Sequence, residues 1–83
     1  MKRLGVIGII IKGDRSVSIK MQELLNEHSE IIVGRLGVPL RDKGISAISL
    51  IVEATNEELS ALTGKLGRLE SVSIKSALLA VDV

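Results

Sequence analysis

Eighty-three residues suffice for one small domain and not for two, and a composition with 46% hydrophobic and 25% charged residues excludes a disordered chain. The formal net charge of +1, from 11 basic and 10 acidic residues, gives no general attraction to nucleic acid or to an anionic membrane. Cysteine and aromatic residues are absent, which excludes a disulfide framework and a thiolate metal site and leaves an aliphatic core. Such a core buries little per residue, and association with another copy is one way to add to it.

The first apolar run, Leu4–Ile11, follows Lys2-Arg3 and imitates a short signal peptide. It ends at the polar cluster Lys12-Gly13-Asp14 with no small-residue cleavage site, so it reads as a β-branched strand and a turn. No segment approaches the ~20 apolar residues that span a bilayer. A cytoplasmic location is expected, in keeping with the absence of cysteine.

Residues 15–29 read as a helix, with Val17, Met21, Leu24, Leu25 and His28 along one face. Asp14 or Ser16 is its expected N-cap, because a short side-chain oxygen accepts from a first-turn amide. Ile31–Val38 reads as the second strand, interrupted by Gly34, Arg35 and Gly37. Pro39 lacks a donor, so the strand ends there or lies at a sheet edge. Arg41-Asp42-Lys43-Gly44 is a charged turn into a third strand, Ile45–Ala54. Thr55-Asn56-Glu57-Glu58 is a capping box. The helix it starts should bury Leu59, Leu62, Leu66 and Leu69, with Gly64 permitting close packing and Gly67 closing the last turn. Ser71–Val81 is the fourth strand.

The order is βαββαβ, and the halves align at an offset of 41 residues. Val6–Ile11 falls on Ala47–Val52, Met21 on Leu62, Leu25 on Leu66, His28 on Leu69, and Ile31 and Val33 on Val72 and Ile74. A repeated βαβ unit with antiparallel pairing is the ferredoxin-like arrangement, an α+β fold with a four-stranded sheet and two helices on one face. Residues 1–83 are expected to form one such domain. Alternation gives the helices Ile7, Ile9, Ile11, Ile48, Leu50 and Val52. The other face holds Val6, Gly8, Ile10, Ala47, Ser49 and Ile51, with small residues at its centre. Left uncovered, it is expected to be an oligomer interface. Pairing through an edge strand, to make one eight-stranded sheet, is an alternative.

Chemistry-bearing residues are few. The single histidine, His28, lies on an apolar helix face and reads as a packing or helix-end residue, and no ligand cluster has metal-binding spacing. Gly64-Lys65-Leu66-Gly67 lacks the earlier glycine and the following Ser or Thr of a phosphate loop. RNA-recognition domains share the strand order but stack bases on sheet aromatics, which do not exist here. Neither catalysis, a cofactor, a metal nor direct nucleic-acid binding is expected. The polar positions suited to a ligand lie in turns: Gly13, Asp14 and Arg15 after the first strand, and Arg35 and Arg41 around Gly37-Val38-Pro39.

The stretch Gly34-Arg35-Leu36-Gly37-Val38-Pro39-Leu40-Arg41, with Ala47-Ile48-Ser49-Leu50, resembles a small ACT-like family described as iron-only hydrogenase system regulators. Ala61-Leu62-Thr63-Gly64-Lys65-Leu66-Gly67 and Val72-Ser73-Ile74-Lys75 resemble it as well. The resemblance implies an ACT-like ferredoxin fold, oligomerisation and an association with the maturation of iron-only hydrogenases in anaerobic bacteria. Amino-acid-binding ACT domains place Asp and Pro-Gly near the first helix; Asp14 is present here and Pro-Gly is not. The histidines and cysteine of nickel-responsive regulators are missing, and so is their ribbon-helix-helix segment. The expected function is therefore a regulatory domain that forms a homodimer or higher homo-oligomer and senses a small-molecule effector at a subunit interface. The alternative is an adaptor for a protein partner, a hydrogenase maturation or redox enzyme.

Overall fold

The computed structural model describes residues 1–13 and 15–83. The elements run β1 (Arg3–Lys12), α1 (Arg15–Glu27), β2 (Ile32–Leu40), β3 (Ile45–Ala54), α2 (Asn56–Leu66) and β4 (Val72–Asp82). The four strands form one antiparallel sheet in the order β2-β3-β1-β4. Each half is thus a split βαβ unit, with a strand of the other half between its two strands. This is the ferredoxin-like α+β fold that the duplicated pattern predicts.

Alternation along β1 and β3 sorts the side chains onto the two faces. Ile7 pairs with Leu50 and Ile9 with Ile48. These four, with Ile11, Val52 and Ala54, lie beneath the helices and are buried. Met21 and Leu25 of α1 and Leu62 and Leu66 of α2 complete the core. The offset of 41 residues therefore joins equivalent buried positions in both helices.

The duplication fails at the start of β2. Helix α1 ends at Glu27, two residues earlier than its apolar periodicity suggests, and Ser29–Ile31 forms a 3-10 turn. That turn tucks Ile31 into the core, so β2 begins at Ile32 with a register shift against β3 between Ile32 and Gly34. Val33 is exposed as a result, whereas its counterpart Ile74 packs against the core. At the other end β2 runs through Pro39 to Leu40, which an edge strand tolerates because the missing donor faces no neighbour.

The capping box of α2 forms as expected. Glu58 N–H donates to Thr55 Oγ1 at 3.1 Å, and Thr55 N–H donates to Glu58 Oε1 at 2.9 Å. The Thr55 backbone N–H, reinforced by Lys2, holds the Glu58 carboxyl below its ordinary pKa despite some desolvation. Gly67 does close the helix, in an ordinary right-handed conformation, its N–H donating to Thr63 O at 2.9 Å.

Two glycine and cap readings need correction. Gly64 has no atom within 4 Å of where a Cβ would stand, so it permits no close packing. Ser16 is not the N-cap of α1, because it lies inside the helix; Asp14 falls outside the described residues. The close approach is at Gly5, buried in β1, where a Cβ would meet Ala77 O at 2.9 Å and Leu78 Cδ1 at 2.8 Å. Near this point the β1–β4 register shifts, between Arg3 and Gly5. Beyond it, Val83 N–H donates to Lys2 O at 3.0 Å.

Candidate functional site

Three turns meet at one end of the sheet. Lys12 N–H donates to Ser71 O at 2.9 Å, and Gly13 N–H donates to Gly44 O at 3.5 Å. Gly13 (φ 113°), Gly44 (φ 63°) and Ser71 (φ 63°) are the positive-φ residues described. Two are glycines, which enter this region without a Cβ penalty.

Beside this junction lies a hollow of about 210 Å³, lined among others by Gly13, Arg15, Ser18, Leu40, Arg41 and Ile45. It brings together three of the five turn residues singled out from the sequence. Arg15 and Arg41 belong to different elements, and neither has an ion-pair partner among the described residues. Two cations facing one hollow suit a carboxylate or phosphate. Arg35 is not part of this arrangement: its guanidinium donates to Gln22 Oε1 of α1 at 2.7 Å. Asp14, the fifth, is the residue outside the described set.

The second candidate is the sheet face away from the helices. Across its middle run Leu36, Ser49, Gly8 and Lys75, flanked by the row Val38, Ala47, Ile10 and Ser73 and the row Gly34, Ile51, Val6 and Ala77. Val6, Ile10 and Ile51 are 40%, 41% and 43% exposed. A hollow of about 410 Å³ lies over Gly8, Ile10, Ala47 and Ser49 and is walled by Leu36 and Val38. A Cβ on Gly8 would find no atom nearer than 4.0 Å, so the small centre is a real depression. Leu36, 64% exposed, and Val38 extend the patch. Their place follows from alternation along β2 once the shift before Gly34 is known; the glycines around them hide it in the sequence.

His28 Nε2 lies 3.2 Å from Lys65 Nζ, and Glu27 Oε2 lies 3.9 Å from the same ammonium. Lys65 has only donors, so the imidazole nitrogen accepts and the contact clips the end of α1 to α2. Among the described residues, no three His, Cys, Asp or Glu side chains gather where a metal ion could be held. Among them, too, no helix is long and apolar enough to cross a membrane.

The fold has clear relatives. The uncharacterized protein TM1266 from Thermotoga maritima superposes with a TM-score of 0.92 at 32% identity, over 95% of this chain and 99% of that one. The ACT domain from the GTP pyrophosphokinase of Chlorobium tepidum superposes with a TM-score of 0.78, over 93% of this chain and 100% of that one. At 16% identity this second likeness concerns the fold. CPII from Thiomonas intermedia K12, a nitrogen regulatory PII-like protein, shares it more distantly, with a TM-score of 0.55 at 17% identity over 92% of this chain and 90% of that one. No curated protein matches the chain. The sequence matches, over residues 3–76, the TM1266-like family, whose description reads "Iron-only hydrogenase system regulator, putative". An ACT-like fold, a close structural likeness to TM1266 and a match over most of its length agree: this chain belongs to the TM1266-like family.

Proposed function

We propose that residues 1–83 form a single ACT-like regulatory domain of an iron-only hydrogenase system, cytoplasmic and non-catalytic, which self-associates and senses a small anionic effector. Effector binding is assigned to the hollow that holds Gly13, Arg15 and Arg41. Self-association is assigned to the open face built on Val6, Gly8, Ile10, Ala47, Ser49 and Ile51. The observation that carries the reading is the convergence of Arg15 and Arg41 on one hollow from separate elements. The hollow adjoins the edge strand β2. Arg35 positions that edge against α1 through Gln22 rather than touching the effector.

A thermal-shift panel of small carboxylates and phosphates tests the sensing. At least one compound should raise the melting midpoint of the wild-type chain, and Arg15→Ala and Arg41→Ala should abolish that rise. Light scattering at micromolar concentration should give a mass above 8.9 kDa. A monomer that no compound stabilises would overturn both parts. The exposed Leu36 beside the hollow on the sheet face favours a second reading, an adaptor that docks another protein there. A stable hetero-complex that survives Arg15→Ala and Arg41→Ala but not Leu36→Asp would select it.

A further inference from the structure

On the other side of Gly13 lies a separate hollow of about 440 Å³, between the first turns of α1 and the loop from α2 to β4. Lys20, Arg68, Glu70 and Ser71 line it with Gly13 and Ser16. We propose that it is a second anion site, for the phosphoryl group of a small metabolite. Lys20 and Arg68 are its charged ligands, and the Ser71 hydroxyl is its hydrogen-bonding ligand.

Three observations converge on this. Lys20 and Arg68 come from α1 and from the loop after α2, and neither side chain has an ion-pair or hydrogen-bond partner among the described residues. Glu70 also lines the hollow without closing on either cation, so the described lining keeps two positive charges to one negative. An ammonium supplies point charge and a guanidinium a planar fork of donors, a pairing suited to phosphate oxygens.

The third observation is Ser71 itself. It is the described non-glycine residue with positive φ, 63°, a conformation that glycine would adopt without steric cost. The Lys12 N–H to Ser71 O hydrogen bond holds it there. Ser71 lines the hollow beside Gly13, its Oγ in ordinary contact distance, 3.7 Å, of where a Cβ on Gly13 would stand. Strained backbone of this kind gathers at ligand clamps.

The test is a two-dimensional NMR titration of the full chain with inorganic phosphate, using chloride at matched ionic strength as the control. Saturable shifts should appear at the Arg68, Glu70 and Ser71 amides with phosphate and not with chloride. Lys20→Gln and Arg68→Gln should each weaken binding by about tenfold or more. Ser71→Gly should also weaken it while leaving the melting midpoint within about 4 °C of wild type, because the strain is relieved. Shifts that merely follow ionic strength, or binding unchanged in both charge variants, would overturn the proposal. Arg15→Gln and Arg41→Gln, which remove the first hollow's cations, should leave this titration intact, so that the two sites stand or fall separately.

Discussion

Strand β1 carries isoleucine on both of its faces, and the two sets meet different fates. Ile7 and Ile9 are 0% and 1% exposed under the helices, while Ile10 on the other side is 41% exposed. An antiparallel sheet with one face in water ordinarily alternates apolar and polar residues. Here the row facing away from the helices is apolar at its flanks and small at its centre, with Gly8 opposite Ser49. The buried face is filled to completion by side chains of its own chain. The open face has the composition of a contact surface and a depression where a protruding side chain would sit.

Substitutions on the two faces should therefore separate stability from association. Leu50→Ala, fully buried, should cost about 2–5 kcal/mol in a urea melt, from lost transfer energy and the cavity left behind. Gly5→Ala should cost about 1–3 kcal/mol, because the new methyl meets the Ala77 carbonyl and not only the yielding end of Leu78. Thr55→Ala should cost about 1 kcal/mol by unmaking the capping box beside the core. Ile10→Thr should change the denaturation free energy of the isolated chain by no more than about 0.5 kcal/mol, while lowering the sedimenting mass at a given concentration. A cost on Ile10 as large as that on Leu50, with no change in mass, would erase the distinction between the faces.

The smallest effect concerns pH. The Glu58 carboxyl is held below its ordinary value of 4.5, chiefly by the Thr55 N–H. It therefore favours the folded state above the unfolded value and loses that contribution as pH falls through the lower folded value. Glu58→Gln should make the stability curve flatter on the acid side, measured by thermal melts down the pH scale.

Much of this architecture was legible from periodicity. The i, i+4 spacing of Met21 and Leu25 and of Leu62 and Leu66 marks the buried side of each helix, and in β1 and β3 the row of larger side chains, Ile7, Ile9, Ile48 and Leu50 against Gly8, Ala47 and Ser49, marks the buried side of the sheet. The end of α1 was less legible. Ile31 has the same strand-like character whether it opens β2 or folds under a 3-10 turn, and only packing against the core decides. The close approach at Gly5 was hidden too, since a glycine in a strand says nothing of what its missing side chain would strike. Of the turn residues, Arg15 and Arg41 meet because the β2–β3 turn returns beside α1. Arg35 goes elsewhere because alternation in β2 turns it toward Gln22.

The hydrogen bond from Val83 to Lys2 sets the two extremities of the described chain side by side. They lie at the Arg3 end of β1, whereas Gly13 and the hollows flanking it lie beyond its Lys12 end. A short peptide joint between residues 83 and 1 would therefore close the chain into a ring with little distortion. Tags, tethers and dyes fixed near the junction would sit a strand's length from the anion-facing end, which makes this small fold a convenient frame for a sensor whose reporter and receptor stay apart.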